Sequence, residues 1–125
     1  MITGSGIDRS DVEFMRPLLA AMCRRSDLRT QPPGVEIKRH GWRPFEVKDR
    51  TSMSRFSDAG AWECIADCLT DGCKISYKAP TLEFPDHAYV MLNSQYAFEE
   101  LYIKIAIIPG IRRVVGISFH YARYR

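Results

Sequence analysis

The spacing of apolar positions changes once along this chain, close to Gly72. Before that point, apolar residues recur every three or four positions, in residues 10–25 and 59–69. After it, that period is lost: apolar and polar residues alternate in residues 73–79 and over much of 101–121, and residues 87–93 form a short, mostly apolar run. The first period predicts amphipathic helices and the second predicts half-buried strands. We therefore expect an α+β domain in which two N-terminal helices pack on one face of a roughly four-stranded antiparallel sheet.

Residues that begin, bend or end helices support this division. Ser10 opens a capping-box pattern at the start of the first helix. Pro17 is expected to kink that helix or to begin a new first turn. Ser57 or Asp58 can cap the second helix, and Gly72 suits the left-handed residue that follows a helix end.

Four polar side chains interrupt the final apolar hairpin. In the first strand Leu101, Ile103, Ile105 and Ile107 share one face, and in the second strand Val115, Ile117 and Phe119 do so. If both sets face one core, the polar residues lie on the other face. A loop over residues 109–113 pairs Lys104 with Ser118 and Tyr102 with His120. A three-residue loop pairs Lys104 with Gly116 and Tyr102 with Ser118. Both registers bring the polar residues together.

The chemistry of this polar group suits phosphoryl transfer. A histidine, a lysine and a phenol can supply a general acid or base and a cation for a developing phosphorane. Cleavage of RNA by its 2′-hydroxyl needs these functions and no metal. A sheet face with aromatic residues and nearby arginines can also hold splayed bases and phosphates. The alternative is the ordinary polar surface that an antiparallel sheet turns toward water.

Composition sets the broad class of the protein. The chain has 125 residues, of which 46% are hydrophobic and 26% charged, as in one globular domain. The net charge is only +3, but arginines are clustered, which suits either a nucleic acid or an acidic protein, or only a solvated surface. No apolar run approaches the ~20 residues that span a bilayer, and no signal peptide is visible, so we expect a cytoplasmic protein without a membrane partner.

Three of the four cysteines lie close together in the sequence. Cys64 and Cys68 share one face of the second predicted helix, and Cys73 follows its end. Three thiolates and a histidine could form a zinc site, but the CxxC pattern that usually opens such sites is missing. Buried thiols in a reducing compartment are the favoured interpretation.

The motifs of the last strands resemble those of a known family. LYIKIAII, a turn and VVGISFH resemble the C-terminal hairpin of MqsR-like toxins, within the RelE-like group of bacterial ribonuclease toxins. Pro85-Asp86-His87 resembles the Asp-His that precedes the penultimate hairpin in that family. The resemblance covers roughly residues 57–121 of a single domain over 1–125. It leaves residues 1–50 as an unassigned N-terminal extension plus helix.

The resemblance implies a metal-independent and cofactor-free endoribonuclease that cleaves messenger RNA, free or on the ribosome, and is inhibited by a cognate antitoxin. Lys104 and Tyr102 match the family's YxKI strand, and His120 stands where the family often has lysine. The residues after His87 read Ala-Tyr-Val-Met-Leu and depart from the family's Trp-Gln-Asp. Candidate catalytic residues are therefore His120 (general acid or base), Lys104 (phosphate contact), Tyr102 and His87. Candidate RNA-binding residues are Arg112, Arg113, Lys74, Lys78 and Arg123.

A second hypothesis needs no catalysis. Small bacterial and phage proteins of this length also act as inhibitors or immunity-type proteins. Such a protein would block a protein partner through its sheet face or through the arginine-rich edge at Arg112 and Arg113. Binding would then be lost on reversal of those charges and barely changed by His120→Ala.

Overall fold

The computed structural model describes residues 8–30, 41–82, 86–108 and 113–124. Two α-helices, five strands and two short 3-10 helices form this part of the chain, which confirms the α+β class. The helices are α1 (Val12–Cys23) and α2 (Asp58–Thr70), and the 3-10 helices are Pro44–Glu46 and Ala122–Tyr124. The strands are β1 (Arg29–Thr30), β2 (Ile75–Lys78), β3 (His87–Asn93), β4 (Leu101–Ile108) and β5 (Arg113–Tyr121).

The five strands form one sheet in the order β1-β5-β4-β3-β2. Strands β2 to β5 are antiparallel neighbours, which confirms the four strands predicted from the period of two. The two-residue β1 adds to the far edge in parallel with β5, with Val114 N donating to Leu28 O at 2.8 Å. Farther along the same edge, Phe119 N donates to Gly41 O at 3.1 Å. The N-terminal third of the chain therefore completes one edge of the sheet.

The helix boundaries agree with most of the predicted signals. Ser57 caps α2 by accepting a hydrogen bond from Gly60 N, and Gly72 has a φ of +86° after the helix end. The predicted cap of α1 is wrong, since Asp11 accepts from Phe14 N while the Ser10 hydroxyl donates to Asp8. No new first turn begins at Pro17, because α1 continues through it.

One hydrophobic cluster joins both helices to one face of the sheet, here called the inner face. It contains Met15 and Leu19 of α1, Trp62, Ile65 and Leu69 of α2, and Tyr89, Met91, Leu101, Ile103, Ile105 and Phe119 of the sheet. Trp42 is 2% exposed and lies in this cluster, with its ring centroid 5.1 Å from Trp62 and 6.0 Å from Phe119. Burial of these side chains on both layers is the main stabilising term of the fold.

A β-bulge in β5 reverses which side chains face the helices in the half of the strand before Ser118. Lys104 pairs with Ser118, but the next residue, Ile105, pairs with Gly116, so Ile117 is the extra residue. A Cβ at Gly116 would lie 2.4 Å from Trp42 Cζ3, so only glycine fits against this ring on the inner face.

Because of the bulge, the residues of β5 do not face the sides of the sheet that the sequence predicted. The prediction that Val115, Ile117 and Phe119 share one face is wrong, and so is the outward placement of Gly116. Val115 and Ile117 instead lie on the other side of the sheet, here called the outer face, in a second cluster with Ala88 and Ala106. The pairing predicted for the longer loop holds only on the Tyr121 side of the bulge, and beyond the bulge the two strands are shifted by one residue.

Candidate functional site on the outer face

The four polar residues of the last hairpin meet on the outer face, as predicted. Tyr102 pairs with His120, and Lys104 pairs with Ser118. This is the register of the longer of the two loops considered, although the turn itself lies outside the described residues. The tilted rings of Tyr102 and His120 have centroids 5.4 Å apart. The beginning of β4 and the end of β5 therefore carry the candidate site.

His120 is more enclosed than a sequence pattern can show. The residue is 5% exposed, and its Nδ1 donates to the carbonyl oxygen of Tyr121 at 2.8 Å. In the neutral imidazole this hydrogen bond leaves Nε2 as the acceptor. A Cβ on Gly41 would lie 2.9 Å from Cδ2 and 3.1 Å from Nε2, so the Gly41 backbone covers that edge of the ring. His120 thus lies between Tyr102 and Gly41, largely shielded from water.

Lys104 faces a cleft that reaches across the sheet to β2. The cleft has a volume of about 310 Å³ and is lined by Tyr77, Lys78, Ala79, Thr81, Val90, Tyr102 and Lys104. Partial burial lowers the pKa of Lys104, and the nearby charge of Lys78 lowers it further. Two lysines that repel each other beside a tyrosine form a site that favours an anion.

The structure places His87 away from this group. His87 pairs with Ile107 and shares the inner face with Tyr89, and a hydrogen bond of 2.5 Å joins its Nδ1 to Tyr77 Oη. Burial lowers the pKa of His87, as does the charge of Arg9, while Asp86 opposes the shift. The sheet therefore separates His87 from Tyr102, Lys104 and His120, and the predicted catalytic set is only partly assembled.

The predicted RNA-binding residues are scattered. Lys78 lines the cleft, and the exposed Lys74 precedes β2. Arg113 begins β5, at the end of the strand opposite to His120. Arg123 forms an ion pair with Glu99 and lies over the Tyr121 ring. Arg112 lies outside the described residues.

The arginines near α1 bond within the protein. Arg24 forms ion pairs with Glu63 and Asp67, and Arg25 forms one with Asp27. Arg29 donates to the carbonyl oxygen of Cys23. The basic surface suggested by this cluster is therefore reduced by acidic neighbours.

The environment of the cysteines near the end of α2 favours the protonated thiol over the thiolate. Cys64 and Cys68 are buried, Cys73 is half-buried, and Asn93 Nδ2 donates to Cys68 Sγ at 2.7 Å. The hydrogen bond from Cys64 and then burial raise the pKa of Cys68, and burial raises that of Cys73 to about 12. Within the described ranges, no three His, Cys, Asp or Glu side chains are grouped as a metal site requires.

Two features of the site could not be read from the sequence. The approach of Lys78 to Lys104 depends on the register of β2, β3 and β4, although the alternation of Ser76 and Lys78 was a usable signal for the outer face. The cover over His120 comes from Gly41, which belongs to a segment without a periodic pattern. Contacts of this kind are visible only in the folded chain.

Comparisons of the chain with protein-family models, with curated proteins and with solved structures found no significant match. The resemblance of residues 57–121 to MqsR-like toxins is therefore a hypothesis carried by the motifs alone. In the part of the chain that the structure describes, no helix is long and apolar enough to cross a membrane.

Proposed function

We propose that the protein is a metal-independent endoribonuclease, a RelE-like toxin of a toxin–antitoxin system that cleaves messenger RNA. The observation that carries the proposal is the pair of Lys78 and Lys104 in one cleft with Tyr102. A phosphodiester between the two lysines would relieve their repulsion, and the phenol offers a further hydrogen bond to phosphate.

The reaction that fits this site is transesterification within the RNA strand. The 2′-oxygen attacks the adjacent phosphorus and gives its proton to a base, and the P–O5′ bond breaks as the 5′-oxygen receives a proton. The products are a 2′,3′-cyclic phosphate and a 5′-hydroxyl. Because its pKa is lowered, Lys104 has more neutral amine than an ordinary lysine, and in this proposal it takes the proton. Lys78 holds the phosphate, and Tyr102 donates to the leaving oxygen.

In this proposal His120 is a positioning residue. Its burial under Gly41 keeps the 2′-hydroxyl away from Nε2, whereas its ring lies against that of Tyr102. The hydrogen bond to Tyr121 O fixes the orientation of the imidazole, and the imidazole in turn fixes the phenol. In this proposal Lys104 and Tyr102, and not His120 as the sequence predicted, act as the general base and the general acid.

The test is cleavage of a long single-stranded RNA by the purified protein in EDTA. We expect discrete fragments that end in 2′,3′-cyclic phosphates, formed much more slowly by a Lys104→Met variant purified in parallel, which controls for contaminating nucleases. Cleavage that requires added divalent metal, or no cleavage of either free RNA or RNA on translating ribosomes, would refute the proposal. A cognate antitoxin is expected to inhibit the same reaction.

The non-enzymatic inhibitor is the second candidate, and one observation favours it. Arg113 is exposed at the start of β5 and is not among the residues that line the cleft, so an RNA held by Lys78 and Lys104 does not need it. Reversing its charge with Arg113→Glu would weaken binding to a protein partner and leave RNA cleavage unchanged. The opposite result would favour the nuclease.

The pH dependence of cleavage tests the role of Lys104 separately from its charge. If the neutral amine is the base, kcat/KM rises with pH until the lysine is deprotonated. Lys78 is one cause of the low pKa of Lys104, so Lys78→Met should raise that pKa and move the rising limb to higher pH. The measurement is the rate on a short RNA from neutral to alkaline pH, after subtraction of the rate without enzyme.

Lys74→Met is the matched control for this experiment. Lys74 is not among the groups that shift the pKa of Lys104, so its loss should leave the position of the limb unchanged, whatever its effect on the rate. A limb that stays in place in Lys78→Met, or that moves equally in both variants, would contradict the assignment of Lys104 as the base.

A further inference from the structure

Two aromatic rings are exposed on neighbouring loops that also carry cations. Phe45 is 58% exposed and Phe98 is 51% exposed. Lys48 Nζ lies 5.8 Å from the centre of the Phe98 ring, and Arg55 Nη1 donates to the carbonyl oxygen of Phe45 at 3.2 Å. A β-bridge between Lys48 and Arg55 joins the backbone segments that carry these two cations. We call Phe45, Lys48, Arg55 and Phe98 the aromatic platform.

The aromatic platform lies at the end of the sheet that carries Tyr102 and His120. Lys48 N donates to Tyr121 Oη at 3.2 Å, next to His120 in the sequence. Phe98 lies just before β4, whose second residue is Tyr102. Tyr121 pairs with Leu101 and packs on the inner face, so a strand of RNA that leaves the cleft at the start of β4 passes around this end of the sheet to reach the platform.

The charge around the rings favours a polyanion. Residues 43–55 contain four cationic side chains, Arg43, Lys48, Arg50 and Arg55, and two acidic ones, Glu46 and Asp49. Glu46 lies 3.9 Å from Arg43, and Asp49 accepts a hydrogen bond from Thr51 N. Glu46 and Asp49 are thus engaged locally. Beside Phe98, Glu99 forms an ion pair with Arg123 and Glu100 is exposed, so the net positive charge lies on the side of Phe45 and Lys48.

Single exposed apolar residues are common and need no explanation. Here each of two exposed rings lies beside a cation, and protein interfaces tend to exclude charge from their apolar centre. Single-stranded nucleic acid uses both groups at once, since bases stack on aromatic rings and phosphates meet lysine and arginine. The combination is that of a nucleic-acid surface more than of a protein interface.

We infer that the aromatic platform binds single-stranded RNA beside the cleaved phosphate, with bases on Phe45 and Phe98 and phosphates on Lys48 and Arg55. The inference rests on the proposed function, because the bound strand is the one whose phosphate enters the cleft. It adds a substrate class to the site: unpaired RNA of several nucleotides, in place of duplex or of a mononucleotide.

The experiment measures binding without cleavage. A fluorescent 2′-O-methyl oligoribonucleotide lacks the attacking hydroxyl, so its anisotropy reports affinity whether or not the protein is a nuclease. We expect Phe45→Leu with Phe98→Leu to weaken binding about tenfold or more, because leucine keeps apolar area but cannot stack. Phe98→Tyr should retain the affinity. Phe14→Leu is the matched control, since Phe14 is 54% exposed on α1.

Cleavage of a dinucleotide separates this inference from the proposed function. The double leucine variant should cleave a dinucleotide at the wild-type rate, because that substrate is too short to reach the rings. Loss of oligonucleotide binding in a protein that never cleaves RNA would support the aromatic platform and refute the nuclease. Wild-type affinity in the double variant, an equal loss in Phe14→Leu, or preference for a duplex would overturn the inference.

Discussion

Replacing Lys104 with methionine is expected to slow RNA cleavage by about 10²- to 10³-fold while leaving the fold at least as stable. Methionine keeps most of the side-chain volume but removes both the base and the charge that the developing phosphorane needs. The stability should be unchanged or slightly higher, since burial and Lys78 disfavour the charged lysine. The measurements are the single-turnover cleavage rate and the urea unfolding midpoint of the same preparation.

Lys104→Arg is the informative control for this prediction. Arginine restores the positive charge but cannot release its proton near neutral pH. We therefore expect it to recover RNA affinity and to stay slow in cleavage. A Lys104→Met protein that cleaves within tenfold of the wild type, or that is slow only because it is unfolded, would rule out the catalytic role of Lys104.

Replacing Gly116 with alanine is expected to lower the free energy of unfolding by about 3 kcal/mol. The new Cβ would lie 2.4 Å from Cζ3 of Trp42 and 2.7 Å from Cε3 and Cη2. The indole cannot move aside easily, because Trp62 and Phe119 contact it and Nε1 donates to Asp58 at 3.1 Å. Denaturant unfolding followed by tryptophan fluorescence measures the loss.

A double-mutant cycle distinguishes this clash from other causes. Trp42→Leu alone should be strongly destabilising because it opens a cavity, but Gly116→Ala should cost much less in that background. Gly72→Ala is the control, because it has nothing within 4 Å of the new Cβ and only a positive φ to oppose it, worth roughly 1–2 kcal/mol. Full additivity of Gly116→Ala and Trp42→Leu would contradict the steric explanation.

Local patterns were sufficient for most of the secondary structure. The strand predicted over residues 87–93 has the bounds of β3, and the helical stripe of Trp62, Ile65 and Leu69 is buried. The pairing of Tyr102 with His120 is the one that strand alternation predicts for the longer of the two loops considered. These predictions succeeded because each depends on neighbours along one or two adjacent elements.

The failures have causes that lie far away in the sequence. The bulge at Ile117 lies next to Gly116, against which the Trp42 ring packs on the inner face. No residue near Gly116 in the sequence indicates that contact. His87 opens a run of apolar residues, Ala88 to Leu92, whose faces only the register with β4 decides. The burial of His120 depends on Gly41, and two-residue β1 has no pattern to detect. The convergence of Tyr102, Lys104, Ser118 and His120 was therefore predicted, whereas the burial of His120 and the separation of His87 from this group were not.

The parallel pairing of β1 with β5 has a consequence for the order of folding. Contacts between distant parts of a chain form slowly, whereas antiparallel neighbours such as β3, β4 and β5 can pair soon after they are made. The edge at Leu28 and Gly41 can join only after Val114 and Phe119 have been synthesised. His120 and the cover over it therefore come together last. A chain that stops before Phe119 therefore lacks both the strand that pairs with Gly41 and the imidazole that Gly41 covers.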